Sequence, residues 1–382
     1  MKTLIFASVS LAALLVAAPA LAGNNTTIQQ LGTAQHATAD QTNSSDGGVI
    51  QITQGLDATQ GTDGYNQATA TQGGSGNQAT ITQSQGAYGV ANPSNTSTSD
   101  QEGVNGTVVV VQVGNNSSNI SQGGSGEHAL VGQANNFNTS VIVQAGVNEL
   151  GVVNQQAGVS NVASISQAGT GTGVSGGSNV LTHGPGANQI WSEELLTGSV
   201  LPGASTGTIV YGPTGAVIDQ NGSNHSGTIN QAGYQNFADV TQGNQDGSTN
   251  DTGMITQGAG TYYAEGLIQQ TGGSNNIATT NQQGSGSGYS LTDQNGSNNQ
   301  AYANQVGNET SVIDQGYTGT IPTASGAVNG NYANVNQTSG NNTSLVQQTG
   351  NYGQAWVSQT AQAGATSTIS QGGSYSIAVV RQ

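Results

Sequence analysis

The 382-residue chain has no cysteine, so disulfides and thiolate metal sites are both excluded. Basic side chains are nearly absent too. Lys2 and Arg381 are the only two, against 18 acids, and the formal net charge is −16. A chain so short of cations cannot neutralise phosphates, which rules out nucleic acid as a partner, and it has no electrostatic pull toward anionic lipid. The surplus of acid instead keeps copies apart in solution, slowing association without forbidding it. Aromatic residues make up 4% and charged residues 5%, while 60 positions are glycine. So few large apolar side chains cannot fill a conventional globular core. On composition alone the chain would be disordered. Its periodicity points elsewhere.

The first 22 residues stand apart. Lys2 precedes an apolar run from Leu4 to Ala18, and Ala20-Leu21-Ala22 offers a small-residue cleavage site before Gly23. This is the layout of a secretory signal peptide, and the run is short for a membrane span. No later stretch is apolar for long enough to cross a bilayer. The expectation is a secreted, extracellular polypeptide with no transmembrane segment after leader removal.

From there on the chain repeats. Gln72 to Gln83 reads Q-x-G-x-x-N-x-A-x-x-x-Q, with Gln72, Gly74, Asn77 and Gln83 in the marked places. The same spacing recurs at Gln156, Gly158, Asn161 and Gln167, at Gln231, Gly233, Asn236 and Gln242, and at Gln294, Gly296, Asn299 and Gln305. With substitutions it also runs from Gln30, Gln220, Gln337 (through Asn342 to Gln348) and Gln348, and in tandem from Gln122 through Gln133 and Gln144 to Gln155. The last copy spans Gln371, Gly373 and Gln382.

Within N-x-A-x-x-x-Q, here numbered as slots one to seven, apolar and polar residues alternate with period two, as in a strand. Slots one, three, five and seven share a face, as Asn77, Ala79, Ile81 and Gln83 do. Slot five is Ile165, Val240, Ala303, Val335, Val346, Val357 or Val380 in other copies, so an apolar inner strip is expected. Slots two, four and six are mostly Thr, Ser, Gln and Asn and should face solvent. The intervening Q-x-G-x-x-N is too short for a helix, and its glycine can adopt the positive φ that turns the chain. The expected fold is all-β: a β-solenoid of stacked strand–arc–strand repeats, cross-β in geometry and amyloid-forming. Stacking at roughly 4.8 Å would let Gln72, Asn77, Gln83 and their equivalents hydrogen-bond as ladders, whereas an isolated buried amide is costly.

Five prolines, Pro93, Pro185, Pro202, Pro213 and Pro322, fall between copies, where they delete no ladder bond. They divide the chain into a leader (1–22), repeats over 23–167 with an insertion at about 84–105, an insertion over 168–213, and repeats over 214–382 with an insertion at about 316–330. The middle insertion holds Ile190 to Leu196, the best helix candidate after the leader.

The tandem Q-x-G-x-x-N-x-A-x-x-x-Q string resembles the repeat of curlins, the subunits of curli fibres. The slot that is usually Ser in that family holds Asn66, Asn138, Asn161 and Asn236 here. The resemblance covers most of residues 24–382. It implies a β-solenoid that adds to fibre ends and builds biofilm matrix on a Gram-negative cell surface, aiding adhesion and colonisation. The partners it implies are further copies of the chain, a curlin-type nucleator or major subunit, and an outer-membrane secretion pore. The chain departs from the family in its length, its large insertions and the lack of a clear N-terminal secretion-targeting segment.

No constellation for catalysis, metal or cofactor emerges. His36 and His128 occupy outward slot two, His225 replaces a slot-one Asn, and His183 lies in an insertion, with no H-x-x-x-H spacing. Glu193 and Glu194 are adjacent, and neighbouring residues rarely converge on one bond. Gly-Gly-Ser-Gly at 73–76 and 123–126 lacks the aspartate of calcium-binding repeats. The sequence therefore describes a structural protein and no enzyme. The alternative is a monomeric β-solenoid adhesin or ice-binding protein, since Thr69, Thr71, Thr80 and Thr82 form two outward T-x-T ranks. The final copy, with Ile377, Val379, Val380 and Arg381, the only basic residue after the leader, is expected to be a growth edge.

Overall fold

The computed structural model describes residues 23–30, 35–55, 65–84, 94–169, 179–181, 209–211, 214–243, 248–316, 328–338 and 340–382. The leader, the five prolines, and the Ile190–Leu196, His183 and Glu193–Glu194 positions lie outside them. Among the described residues every regular element is a β-strand, and no helix is long and apolar enough to cross a membrane.

The chain alternates between two parallel sheets, so that each coil contributes one strand to each. The first sheet starts with Asn25–Gln30, Val49–Gln54, Gln78–Ser84 and Thr107–Val113, and ends with Thr343–Gln348 and Thr366–Gln371. The second starts with His36–Asp46, Gln67–Ser75 and Thr96–Gln101, and ends with Gln354–Gln359 and Ile377–Arg381. Thirteen strands stack in the second sheet, and as many along the main path of the first. Pairing is in register slot by slot, as where Ile165 meets Ile229 and Gln167 meets Gln231. The architecture is β-solenoid-like, as the period-two alternation and glycine arcs require.

Slots three and five of the two sheets meet in a core one side chain deep. Ile50, Ile81, Ile142, Ile165, Ile229 and Ile255 are fully buried along it. A large slot-five residue leans on slot three of the facing sheet, which must then be small. A Cβ on Gly227 would come 2.7 Å from Ile218 Cγ2, and one on Gly253 2.6 Å from Val240 Cγ1. That is why slot three is alanine or glycine in so many copies.

Three expectations need correcting. The apolar strip is not continuous: slot five is Ser99, Thr280 or Thr292 in three coils, all buried. Threonine has the shape of valine, so the layer keeps its thickness, and Thr280 Oγ1 and Ser290 Oγ bond across it at 3.2 Å. Nor is the outer face uniformly polar. Outward Leu150, Val152 and Val217 form a second buried cluster with Leu130 and Phe237 packed on it. Finally, the 84–105 insertion contains a complete unit, Asn95 to Gln101, whose strand pairs with Gln67–Ser75 before it and Asn115–Gln122 after it. Its Ser97 and Ser99, in place of Ala and Ile, hid it from a pattern that demanded apolar residues. Within 168–213, Asn179–Leu181 pairs antiparallel with Ile209–Tyr211, and after 316–327 the short strand Val328–Asn329 rejoins the stack.

Candidate functional site

The slot-seven glutamines form two continuous side-chain ladders inside the stack. In the first sheet the Nε2 of Gln30, Gln54, Gln83, Gln112, Gln133, Gln155, Gln220, Gln242, Gln270, Gln294, Gln315 and Gln348 each donates to Oε1 of the next glutamine, ending at Gln371, over 2.7–2.9 Å. In the second sheet the ladder runs from Gln41 through Gln72, Gln101, Gln122, Gln144, Gln167, Gln231, Gln257, Gln282, Gln305, Gln337 and Gln359 to Gln382 over 2.8–3.4 Å. The second amide hydrogen crosses to the other sheet, as in Gln83 to the Gln67 carbonyl and Gln72 to the Val49 carbonyl. Each buried amide thus places both hydrogens while tying the sheets together. One assignment shifts: the ladder passes through Gln155, not Gln156. That arc is one residue longer, and the extra residue is taken up where the register shifts between Gln155 and Ala157.

The slot-one asparagines follow a different pattern. Asn95 Nδ2 does donate to Asn66 Oδ1 of the neighbouring coil at 3.1 Å, but Asn77 and its equivalents pin the arcs instead. Oδ1 of Asn77, Asn161, Asn236, Asn299 and Asn342 accepts the backbone N–H of the next coil's slot-one residue, Gly106, His225, Ala264, Asn331 and Ala365, at 2.8–3.1 Å. Their Nδ2 groups reach arc acceptors, such as the Gly73 carbonyl from Asn77 at 2.6 Å and Thr261 Oγ1 from Asn236 at 2.7 Å.

The motif glycines meet the expectation only in part. Gly74, Gly158 and Gly296 have positive φ, but Gly233 and Gly373 do not. The residue that is left-handed in coil after coil is the one just before slot one: Gly76, Asn105, Gly126, Asn148, Gln235, Asn298, Tyr352 and Tyr375, with φ of 52–67°. The left-handed turn points that N–H back to the preceding coil, as in Asn148 to the Ser125 carbonyl at 2.8 Å. The motif glycine is required by close approach. A Cβ on Gly74, Gly103, Gly124, Gly146, Gly169 or Gly233 would overlap a backbone carbonyl oxygen of the next coil, and one on Gly158 would overlap that of Gly222. Gly373 has no such neighbour and would meet only Ser376 Oγ at 3.3 Å.

Beyond His225, slot one also holds buried carboxylates that a pattern built on Asn does not pick out. Glu127 and Glu149 stand one coil apart, both buried. Glu149 curls into its arc and accepts the Gly169 and Gly146 N–H groups at 2.7 and 3.2 Å. Burial pushes both carboxyls up to about 7, and for Glu149 the neighbouring Glu127 charge adds to it. In the other arc column His225 and Asp251 are neighbours, with Nδ1 and Oδ2 3.5 Å apart. His225 Nδ1 accepts the Asp251 backbone N–H at 3.3 Å, the role an asparagine oxygen plays elsewhere. Burial holds His225 down at about 4 and raises Asp251 to about 6. Outward His36 and His128 are exposed. Among the described residues no group of three or more His, Cys, Asp or Glu converges as a metal site.

At the two ends of the stack the inner positions open to solvent. Asn25–Gln30 is exposed along most of its length, and Ala378 and Val380 of the last strand are half-buried. The ladders are polar: Gln371 and Gln382 retain an amide hydrogen with no acceptor among the described residues beyond the Gln354 and Thr366 carbonyls, and Gln30 Oε1 has no donor among them. No family model matches the chain, and no curated protein does.

Proposed function

We propose that the chain is a structural subunit that self-assembles, coil on coil, into an extracellular cross-β fibre of the curli kind. The observation that carries this reading is the translational identity of the coils. Coil after coil offers the next the same parallel backbone edge and the same slot-seven glutamine pair, and the outermost described coils leave their edges open. Open parallel edges with matched side-chain ladders recruit further strands. The polarity of the ladders fits head-to-tail addition, with a spare amide donor at Gln371 meeting the Gln30 acceptor, whereas Gln41 Oε1 at the start of the second ladder accepts from Thr26 Oγ1 at 2.7 Å. On this reading the first 22 residues are a leader, the partners are further copies together with a nucleator or major subunit and an outer-membrane pore, and the fibre serves adhesion and biofilm matrix. On the same reading the strand Ile377–Arg381, whose Ile377 and Val379 are well exposed, offers a surface for an incoming copy.

The test is assembly of the purified chain, followed by amyloid-dye emission and electron microscopy. Unbranched fibres that bind dye, and whose fragments shorten the lag of fresh protein, are expected. A chain that stays monomeric through prolonged incubation at high concentration overturns the reading in favour of a solitary adhesin.

A further inference from the structure

Four successive coils of the second sheet carry an outer face unlike the rest of the molecule. In three of them the outward slots two and four pair one ring with one amide: Gln300 with Tyr302, Asn334 with Tyr332, and Gln354 with Trp356. The ring alternates between the slots, so the aromatics zigzag along the stack. Tyr302 and Tyr332 have centroids 5.8 Å apart and Tyr332 and Trp356 5.6 Å, tilted by 43° and 45°. A face-to-face stack would bury the ring faces in one another, whereas these tilts leave part of each open. Two shallow grooves flank the zigzag. One of about 300 Å³ runs between Gln300, Tyr332, Gln354 and Trp356. The other, about 340 Å³, lies between Thr279, Asn281, Tyr302 and Asn334.

The face is also uncharged, as are the second-sheet strands Val162–Gln167, Ser226–Gln231 and Thr252–Gln257 before it. Slots two, four and six of Ile277–Gln283, Gln300–Val306, Tyr332–Gln337 and Gln354–Gln359 contain no ionisable acid or base apart from the tyrosine hydroxyls. The corresponding coils of the first sheet carry half-buried acids, Glu265, Asp293 and Asp314, in their outward slots. Along one rim, Asn281 donates to Asn304 at 2.9 Å and Asn304 to Asn336 at 2.8 Å, a fixed row of amides. The Asn334 amide donates to Tyr332 Oη at 3.2 Å, holding the central ring.

We infer that this face binds a neutral polysaccharide, of the class of flat, β-linked glucans. A pyranose ring has an apolar C–H face, which packs on an aromatic ring, and a rim of hydroxyls, which pairs with amides able both to donate and to accept. A flat ribbon-like glycan matches a flat sheet carrying one ring and one amide per coil. The absence of charge means that no ionised group is desolvated on binding, and a polyanion finds no cation there. The site concerns the side of the stack and is independent of whether its ends polymerise.

The probe is cellohexaose, added to the full chain in a Trp191→Phe background so that Trp356 is the only tryptophan emitting. A saturable change in Trp356 emission is expected, with none on adding an oligogalacturonate of equal length. Tyr332→Ala should weaken binding by about tenfold or more, as loss of a central aromatic anchor does. Gln354→Glu changes an exposed residue, so folding is preserved, and the new charge should weaken binding by about threefold to tenfold through the cost of desolvating it. Circular dichroism checks that each variant keeps its strands. No response to cellohexaose, an equal response to the anionic oligomer, or unchanged binding by Gln354→Glu would overturn the proposal. A Trp356 signal that follows protein concentration and ignores sugar would show that a second copy covers the face, and would overturn it too.

Discussion

Glutamine contributes nothing apolar to a core, yet the interior of this stack is bounded by two columns of it. The amide is tolerated because translation by one coil sets every Nε2 beside the next Oε1, and because the opposite strand supplies a carbonyl for the other hydrogen. Slot one shows what happens when the residue type changes but the space does not. Glu127 and Glu149 fill the asparagine position with carboxyls that hold their protons up to about 7, against an ordinary value of 4.5. Between those values the folded chain binds more protons than the unfolded one, so their contribution is most favourable below 4.5 and declines as pH rises toward 7. His225, held down at about 4 from 6.5, acts in the opposite sense, with stability present above 6.5 and lost as pH falls toward 4. The double variant Glu127→Gln, Glu149→Gln should therefore resist urea better than the parent at about pH 8, with little difference at about pH 4. Equal urea midpoints for the two proteins at the higher pH would mean that these carboxyls are not buried as described.

At the scale of the element, the strands were legible from the sequence and the arcs were not. Period-two alternation identified which side of Gln78–Ser84 or Val162–Gln167 faces inward, because burying one face is what a half-buried strand does. The unit at 95–101 escaped, since small hydroxyl residues at Ser97 and Ser99 satisfy the space without the apolar signature. The arc glycine takes the expected positive φ at Gly74, Gly158 and Gly296 but not at Gly233 or Gly373, while the residue before slot one is left-handed more regularly, with Asn, Gln and Tyr all adopting positive φ there. What demands glycine is the next coil's carbonyl, a contact between residues about 22 apart and invisible within one unit. Adjacent glycines separate the two explanations. Gly124→Ala would drive its Cβ into the Gly146 carbonyl, and should cost about 1–3 kcal/mol of stability, whereas a Cβ on Gly123 meets nothing within 4 Å, so Gly123→Ala should be nearly neutral. Thermal or urea melts that rank the pair the other way would refute the close-approach account.

For the molecule as a whole, the scarcity that composition suggested, with few aromatics, few charges and no cysteine, is answered by repetition. No coil could hold itself together, because each buries only a few side chains. Stacking makes every coil the partner of two others, and stability becomes a sum of nearest-neighbour terms. The same nearest-neighbour logic underlies our proposal that the stack continues from copy to copy. The fold class was legible because the 11-residue step is so regular. The uncharged aromatic face was not, because its rings sit in slots of different coils and come together only on stacking. The most direct measurement of the central claim is X-ray diffraction from aligned fibres of the assembled chain. If coils stack across chain boundaries as they do within the chain, a sharp meridional reflection at about 4.8 Å and an equatorial one at about 10 Å are expected, with strands perpendicular to the fibre axis. Aligned fibres lacking the 4.8 Å meridional reflection would contradict the account.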